Sequence, residues 1–221
     1  ALEKVGERAW AMHDQPDAGL WEFRTRTSVH TYSSVMCWAG CDRLANAADA
    51  LGLGDRAALW RGRAAAIRVR IEREAWHEGE QRFAATWGGD ELDASLLQLI
   101  DMRFLARDDP RFISTFKAVE KGLRRGEHML RYADEDDFGL PETAFNFCTF
   151  WLVEALHIVG RGEEARALYE SMLTRLTPAG LLSEDTDLHT GELWGNYPQT
   201  YSLVGLINCA RLLSRPWSSI R

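Results

Sequence analysis

Two loop glutamates, Glu22 and Glu184, have the surroundings that best fit a chemical role. Each lies in a polar loop just ahead of an apolar stretch, one beginning near Thr31 and the other near Gln199. Hydrolysis of a glycosidic bond requires two carboxyl groups, one acting as an acid and the other as a base. The pair therefore indicates acid–base catalysis on a sugar, although a single loop glutamate before a helix is more often a solvated or helix-start carboxylate.

The two glutamates would need different environments for these roles. An acid must carry a proton, which burial of Glu22 against Trp21 would favour. A base must stay ionised, and hydroxyl or amide groups close to Glu184 could assist: Ser183, Asn196 and Tyr197. An inverting mechanism further requires the two carboxyl groups to lie about 6.5 to 9.5 Å apart, which leaves room for a water molecule.

Aromatic and charged side chains accompany both glutamates. Trp21, Trp87 and Trp194 lie in loops and could pack flat on pyranose rings, or they could belong to the core. Arg24 could bind a sugar hydroxyl or pair with a carboxylate at the surface. The acidic run at residues 134–137 is typical of a solvated loop, with a calcium site as the alternative.

Composition and charge exclude several classes of partner. The chain has 221 residues, of which 46% are hydrophobic and 27% charged, as in ordinary globular proteins. The net charge of −7 argues against a nucleic-acid binder, because contacts to phosphates need clustered Lys and Arg. The sequence lacks an apolar run long enough to cross a membrane, and its first residues lack the apolar core of a signal peptide, so we expect a cytoplasmic protein.

The cysteines do not suggest a disulfide framework. All four fall in apolar stretches that favour helices, which is typical of reduced core residues: Cys37, Cys41, Cys148 and Cys209. Cys37 and Cys41 share a helix face, but no neighbouring His or Cys completes a tetrahedral set, so we expect no metal site.

The hydrophobic pattern predicts pairs of helices. Apolar helices are predicted to begin near residues 31, 92, 144 and 199, and a charged helix with one apolar stripe is predicted in each interval. The repeat of roughly 55 residues is in the range of helical repeat architectures. We therefore predict an all-α fold in a single domain over residues 1–221: an incomplete α/α toroid of helical hairpins, like an (α/α)6 barrel, with about eight helices. The loops that enter the inner helices would then meet around one cleft.

Several segments resemble glycoside hydrolase family 15, the glucoamylase-type family that also includes bacterial trehalases. The matching segments follow the family order: PDAGLWEFR, HTYSSVMCW, DELDASLL, LPETAFNFCTFWLVEAL, LLSEDTD and TGELWGNYPQTYSLVGLINCA. The resemblance implies a barrel of six α-hairpins, of which this chain would be the C-terminal portion. It also implies that Glu22 is the general acid, that Glu184 is the general base and that Glu142, in the LPETAF segment, binds substrate.

These observations leave several functional hypotheses. The first is an exo-acting, inverting α-glucoside hydrolase that releases β-glucose from α-glucans or oligosaccharides and needs no cofactor, with a trehalase of the same family as the alternative. The second is a truncated barrel without catalysis that binds a sugar or a partner: the missing N-terminal part of the barrel or another copy. An exposed apolar edge at Leu2, Val5 and Ala9 would favour this second hypothesis. The third is an unrelated α/α-barrel enzyme such as a sugar epimerase.

Overall fold

The computed structural model of the chain describes residues 1–136 and 139–214. Its secondary structure falls into two compact units, one formed by Ala1–Glu91 with Gln98–Ala106 and the other by Leu92–Leu97 with Arg107–Arg221. Each unit has buried apolar residues of its own. The interpretation of residues 1–221 as one domain stays a prediction.

The first unit is built on a long helical hairpin. Its elements are α1 (Leu2–Met12), α2 (Thr31–Ala50), α3 (Gly54–Glu74), β1 (Trp76–His77), β2 (Arg82–Phe83) and the short α4 (Gln98–Asp101). α2 packs against α1 and α3, and Gly52 takes a positive φ of 71° where the chain turns between α2 and α3. The apolar stripe predicted for α3 is buried throughout, which confirms the helical period in this segment: Trp60, Ala64, Ile67, Ile71 and Ala75.

The second unit combines a second helical hairpin with small sheets. Its elements are a 3-10 helix (Ala94–Leu97), α5 (Pro110–Leu123), β3 (Arg124–Arg125), β4 (His128–Met129), β5 (Thr143–Phe145), α6 (Asn146–Ile158), α7 (Gly162–Leu173), β6 (Asp185–Asp187), β7 (Leu193–Trp194) and α8 (Thr200–Leu213). α6 is apolar nearly all round and packs against both α7 and α8. β5, β6 and β7 form one antiparallel sheet with β6 in the centre.

One predicted helix is wrong. The apolar segment from Leu92 to Leu105 forms only the 3-10 helix and the single turn of α4 instead of a continuous helix. Asp93 accepts a hydrogen bond from the Ser95 amide at 2.7 Å, and Arg103 has a positive φ of 61°, so the regular helix is interrupted near both ends. Residues 93–100 are all buried, and the apolar pattern therefore indicated burial correctly but not the conformation.

The described residues also contain seven short strands of two or three residues each, which the sequence pattern did not predict. Segments this short carry too little alternation to be recognised. Among the described helices, none has the length and apolar character needed to cross a bilayer.

Candidate active site

Glu184 immediately precedes β6, and Asn196, two residues after the end of β7, holds its carboxylate in place. The side-chain oxygen Oε2 accepts hydrogen bonds from the backbone amide of Asn196 at 3.0 Å and from its side-chain Nδ2 at 2.8 Å. The Glu184 amide in turn donates to the Asn196 carbonyl at 2.9 Å. Of the three polar partners predicted for Glu184, Asn196 is the one whose amide groups contact the carboxylate. The Ser183 hydroxyl instead donates to the Asp185 carbonyl, and the Tyr197 hydroxyl lies 3.1 Å from that of Thr177.

A buried asparagine at the start of α6 fixes the backbone around Glu184. The Asn146 amide donates to the Glu184 carbonyl at 2.9 Å, its Nδ2 donates to the Ser183 carbonyl at 3.1 Å, and its Oδ1 accepts from the Thr186 hydroxyl at 2.7 Å. Asn146 was not among the predicted site residues. Its signal was a polar residue opening an otherwise apolar helix, which needs a buried partner for its amide.

Trp194 and Gly195 line the sheet beside Glu184. Trp194 pairs with Asp185 across β6 and β7, and 53% of its surface is exposed, so its ring is open to a ligand. Gly195 follows with a φ of 78°, and an added Cβ there would lie 2.9 Å from the Cβ and Oε2 of Glu184. The missing side chain at Gly195 therefore makes room for the Glu184 carboxylate.

Glu142 is exposed and lies at the opposite end of the same sheet. Thr143 pairs with Asp187, whereas Glu184 is held by Asn146 at the other end of β5. The four residue steps from Glu142 to Asn146 correspond to about 13 Å of extended chain. A substrate-binding role for Glu142 stays a prediction.

A charged cluster adjoins the sheet and corrects one expectation. The side chain of Asp136 is only 6% exposed, accepts a hydrogen bond from the Tyr132 hydroxyl at 2.6 Å and lies 3.2 Å from the Arg131 guanidinium. Burial and the Asp136 hydrogen bond raise the pKa of the Tyr132 hydroxyl. The interpretation of the acidic run as a wholly solvated loop is therefore wrong for Asp136, while Asp137 lies outside the described residues.

Asp185 and Arg131 each have a buried polar atom that could form a further hydrogen bond. Oδ1 of Asp185 and Nε of Arg131 are both buried and have no hydrogen-bond partner in the described part of the chain. Burial raises the pKa of the Asp185 carboxyl, an effect that the charge of Arg131 opposes and that of Glu184 reinforces. Buried donors and acceptors are normally paired, so these two atoms are suited to a bound hydroxyl or water.

In the first unit, Glu22 lies in a loop that is closed at its base. Asp17 and Ser28 exchange two backbone hydrogen bonds of 2.9 and 3.1 Å, and the Glu22 amide donates to the Gly19 carbonyl at 3.2 Å. Glu22 has a φ of 55°, a left-handed conformation that is uncommon for a residue with a side chain. The carboxylate is exposed, so the expected burial against Trp21 is wrong for this unit: the residue belongs to a surface loop and not to the core.

The other predicted site residues of the first unit differ in their exposure. Trp21 is half-buried and Arg24 is exposed. Trp87 is half-buried, its amide donates to the Val29 carbonyl at 3.0 Å, and the Arg70 guanidinium lies 5.5 Å from its ring centre. The structure thus brings Trp87 close to the end of the Glu22 loop, and the guanidinium occupies part of its surface. The pairing of Glu22 with Glu184 across a substrate stays a prediction.

A cavity of about 620 Å³ lies in the second unit, away from the predicted residues. Its lining includes Arg107, Asp108 and His157, at the C-terminal end of α6. From Asn146 to His157 the helix rises about 17 Å, so this cavity is distinct from the surroundings of Glu184. In the described residues, no three His, Cys, Asp or Glu side chains come together as a metal site. The four cysteines are free thiols, and three of them are buried.

Comparison with known proteins decides the family. The sequence model of the glycosyl hydrolases family 15 matches residues 7–211, nearly the whole chain. The chain belongs to this family. This match confirms the family that the sequence motifs resemble.

Curated relatives of this family 15 chain are trehalases. The chain is 38% identical to the trehalase of Mycolicibacterium smegmatis over 213 residues, and the aligned region covers 94% of this chain and 31% of that protein. It is 35% identical to the trehalase of Thermoplasma acidophilum over 196 residues, and the aligned region covers 88% of this chain and 34% of that protein. The chain thus spans about a third of the length of these relatives.

Solved structures confirm the fold class. A wild-type glycosidase superimposes with a TM-score of 0.82 at 20% identity, over 96% of this chain and 59% of that chain. A bacterial glucoamylase complexed with acarbose gives a TM-score of 0.78 at 14% identity, over 96% of this chain and 37% of that chain. The prediction of an α/α-hairpin fold that is incomplete relative to an (α/α)6 barrel is therefore confirmed.

Proposed function

We propose that the chain carries the acid–base pair of an exo-acting, inverting α-glucoside hydrolase, with Glu22 as the general acid and Glu184 as the general base. The observation that carries the proposal is the Glu184 site: a carboxylate held by two N–H groups, beside an exposed tryptophan, in a chain that belongs to family 15. Such a carboxylate can accept a proton from water while its orientation stays fixed.

The proposed reaction needs one proton donor and one acceptor. Glu22 gives its proton to the glycosidic oxygen as the bond to the anomeric carbon breaks. Glu184 takes a proton from the water that attacks this carbon from the opposite face. The configuration at the attacked carbon inverts, so an α-linked glucose leaves as β-glucose.

Within this class, we propose trehalose as the first substrate to test. The curated relatives at 35% and 38% identity are trehalases, and the glucoamylase-type reaction on maltooligosaccharides is the alternative. The Trp194 ring is suited to pack on a sugar face. The buried Arg131 Nε and Asp185 Oδ1 would gain hydrogen-bond partners from sugar hydroxyls or a bound water.

We also propose that this chain is the C-terminal portion of the barrel and is completed by further helices. The chain spans about a third of its relatives, and both terminal helices present apolar residues to solvent. On α1, Leu2 and Val5 are 70% and 68% exposed, whereas Ala9 is half-buried. On α8, the exposed residues at helical spacing are Tyr201, Val204 and Ile207. Exposed apolar faces of this kind usually contact another element, which favours a barrel closed by helices that this chain lacks.

Glucose release tests the catalytic proposal. The chain is incubated with trehalose or maltotriose, and proton NMR follows the anomers at early times. Inversion of α,α-trehalose yields one β-glucose and one α-glucose, whereas retention yields two α-glucose molecules. Glu184→Gln should abolish release, and Glu170→Gln, an exposed glutamate on α7, should leave it unchanged. Two α-glucose molecules, or an active Glu184→Gln variant, would refute the inverting assignment.

Light scattering tests the incomplete barrel. The chain alone should self-associate as its concentration rises, and Ile207→Ser should weaken this association because it removes apolar surface from α8. Val69→Ser is the matched control, since Val69 lies on α3 and is also exposed, by 63%. If the chain is inactive alone but gains activity when the remaining region of the relatives is supplied, the barrel proposal is supported. A chain that stays monomeric at high concentration, and whose activity does not change when the remaining region is supplied, would contradict the barrel proposal.

A further inference from the structure

The Glu184 carboxylate is held through one of its two oxygens by the Gly195–Asn196 dipeptide. Two different donors of one residue, the backbone amide and the side-chain amide of Asn196, reach the same carboxylate oxygen, at 3.0 and 2.8 Å. Within the described residues, no hydrogen bond ends on the other oxygen, Oε1. The carboxylate is therefore held asymmetrically.

We propose that Asn196 is a positioning residue that fixes Oε2 of Glu184 and so turns Oε1 towards the attacking water, and that Gly195 provides the space for this arrangement. The inference rests on the proposed function. In the reaction, Oε1 would take the proton from water as the water oxygen bonds to the anomeric carbon, and the glycosidic oxygen would leave with the proton from Glu22.

The backbone makes this contact specific. The Glu184 amide donates to the Asn196 carbonyl at 2.9 Å while the Asn196 amide donates to the Glu184 side chain, so the two residues are linked in both directions. A Cβ on Gly195 would lie 2.9 Å from Oε2, closer than such atoms normally approach. An alanine there would displace the carboxylate from both donors.

Substitutions at Asn196 separate positioning from a general structural role. Asn196→Ala keeps the backbone donor and removes the side-chain donor, which should lower kcat about 10- to 100-fold, with KM changed by less than about threefold. Asn196→Asp has nearly the same shape but places a second carboxylate against Glu184, so it should be more harmful than alanine. If the side chain only shaped the loop, aspartate would be the milder change.

Two glycines on either side of β7 provide a matched steric test. Gly195→Ala should lower kcat because the new methyl group collides with Glu184. Gly191→Ala is the control: Gly191 has a similar φ of 73°, but nothing lies within 4 Å of an added Cβ. Equal activity of the two variants would overturn the inference.

The outcomes distinguish failure of this inference from failure of the proposed function. An active Glu184→Gln variant refutes the function itself. An inactive Glu184→Gln variant together with unchanged kcat in Asn196→Ala, or with aspartate milder than alanine, refutes only the positioning role. A crystal structure of Asn196→Ala decides the matter even for a chain that is inactive alone: displacement of the Glu184 carboxylate is expected, and an unchanged side-chain conformation overturns the inference.

Discussion

The left-handed backbone at Glu22 predicts an unusual order of stabilities. Glycine at this position should give a more stable chain than alanine, although both changes remove the same carboxylate. Glu22 has a φ of 55° and is exposed, so alanine would keep the strained conformation without gaining any packing. Glycine has no Cβ and adopts this conformation without strain.

The expected magnitude follows from two opposing terms. A residue with a Cβ costs about 1 to 2 kcal/mol in the left-handed region, and glycine costs about 0.5 to 1 kcal/mol more conformational entropy on folding. The difference favours glycine at position 22 by roughly 0.5 to 1 kcal/mol. At Glu170, an exposed residue within α7, alanine should instead be favoured by about 1 kcal/mol.

Urea unfolding of the four variants measures this difference. Circular dichroism gives the free energy of unfolding for Gly and Ala at positions 22 and 170, and the two Gly-minus-Ala differences should have opposite signs. They should differ by about 1.5 to 2 kcal/mol. If alanine proves the more stable choice at both positions, Glu22 does not have a left-handed backbone in solution and the reasoning fails.

Three further predictions concern groups outside the candidate site. Cys37 should be the first thiol to react with a disulfide reagent in the native chain at pH 8, because the other three cysteines are buried and burial raises the pKa of Cys41 to about 11; rapid reaction of several thiols would contradict this. Burial lowers the pKa of His128, so the native state takes up its proton less readily than the unfolded state, and stability should be lost as the pH falls below about 6.5. His128→Gln should weaken that loss in urea titrations at pH 7 and pH 5, whereas His189→Gln, in an exposed loop, should not. Arg161 bridges glutamates of α5 and α7, so Arg161→Met should lower the free energy of unfolding by about 1 kcal/mol, and an equal loss in 1 M salt would contradict an ionic origin.

Most helices could be predicted because their signals are local. α5 has a local start signal at Asp109-Pro110: the Asp109 side chain accepts a hydrogen bond from the Arg111 amide, and Pro110 occupies the first helical position. The apolar stripe of α3 and the fully apolar α6 likewise follow from residue spacing alone. The segment at residues 92–105 failed because an apolar run fits a buried irregular segment as well as a buried helix.

The surroundings of Glu184 could be predicted only in part. The sequence pointed to Glu184, Trp194 and the amide of Asn196, because all three lie within one short stretch of the chain. The anchoring by Asn146 joins segments 38 residues apart, so it arises from tertiary packing and leaves no periodic signal in the sequence. Asp136 contacts Tyr132 and Arg131, four and five residues earlier, in an irregular segment where no helix or strand period indicates which side chains meet.

The two proposed catalytic carboxylates are held by different physical means. A base that activates water must present one lone pair in a narrow range of directions, and hydrogen bonds from Asn196 to a single oxygen of Glu184 supply that constraint. An acid must recover its proton from solvent after each turnover, and an exposed loop position such as that of Glu22 allows this. The loop places Glu22 in a strained left-handed conformation, which persists only where the surrounding structure fixes the backbone. The paired hydrogen bonds between Asp17 and Ser28 fix the backbone at the base of this loop.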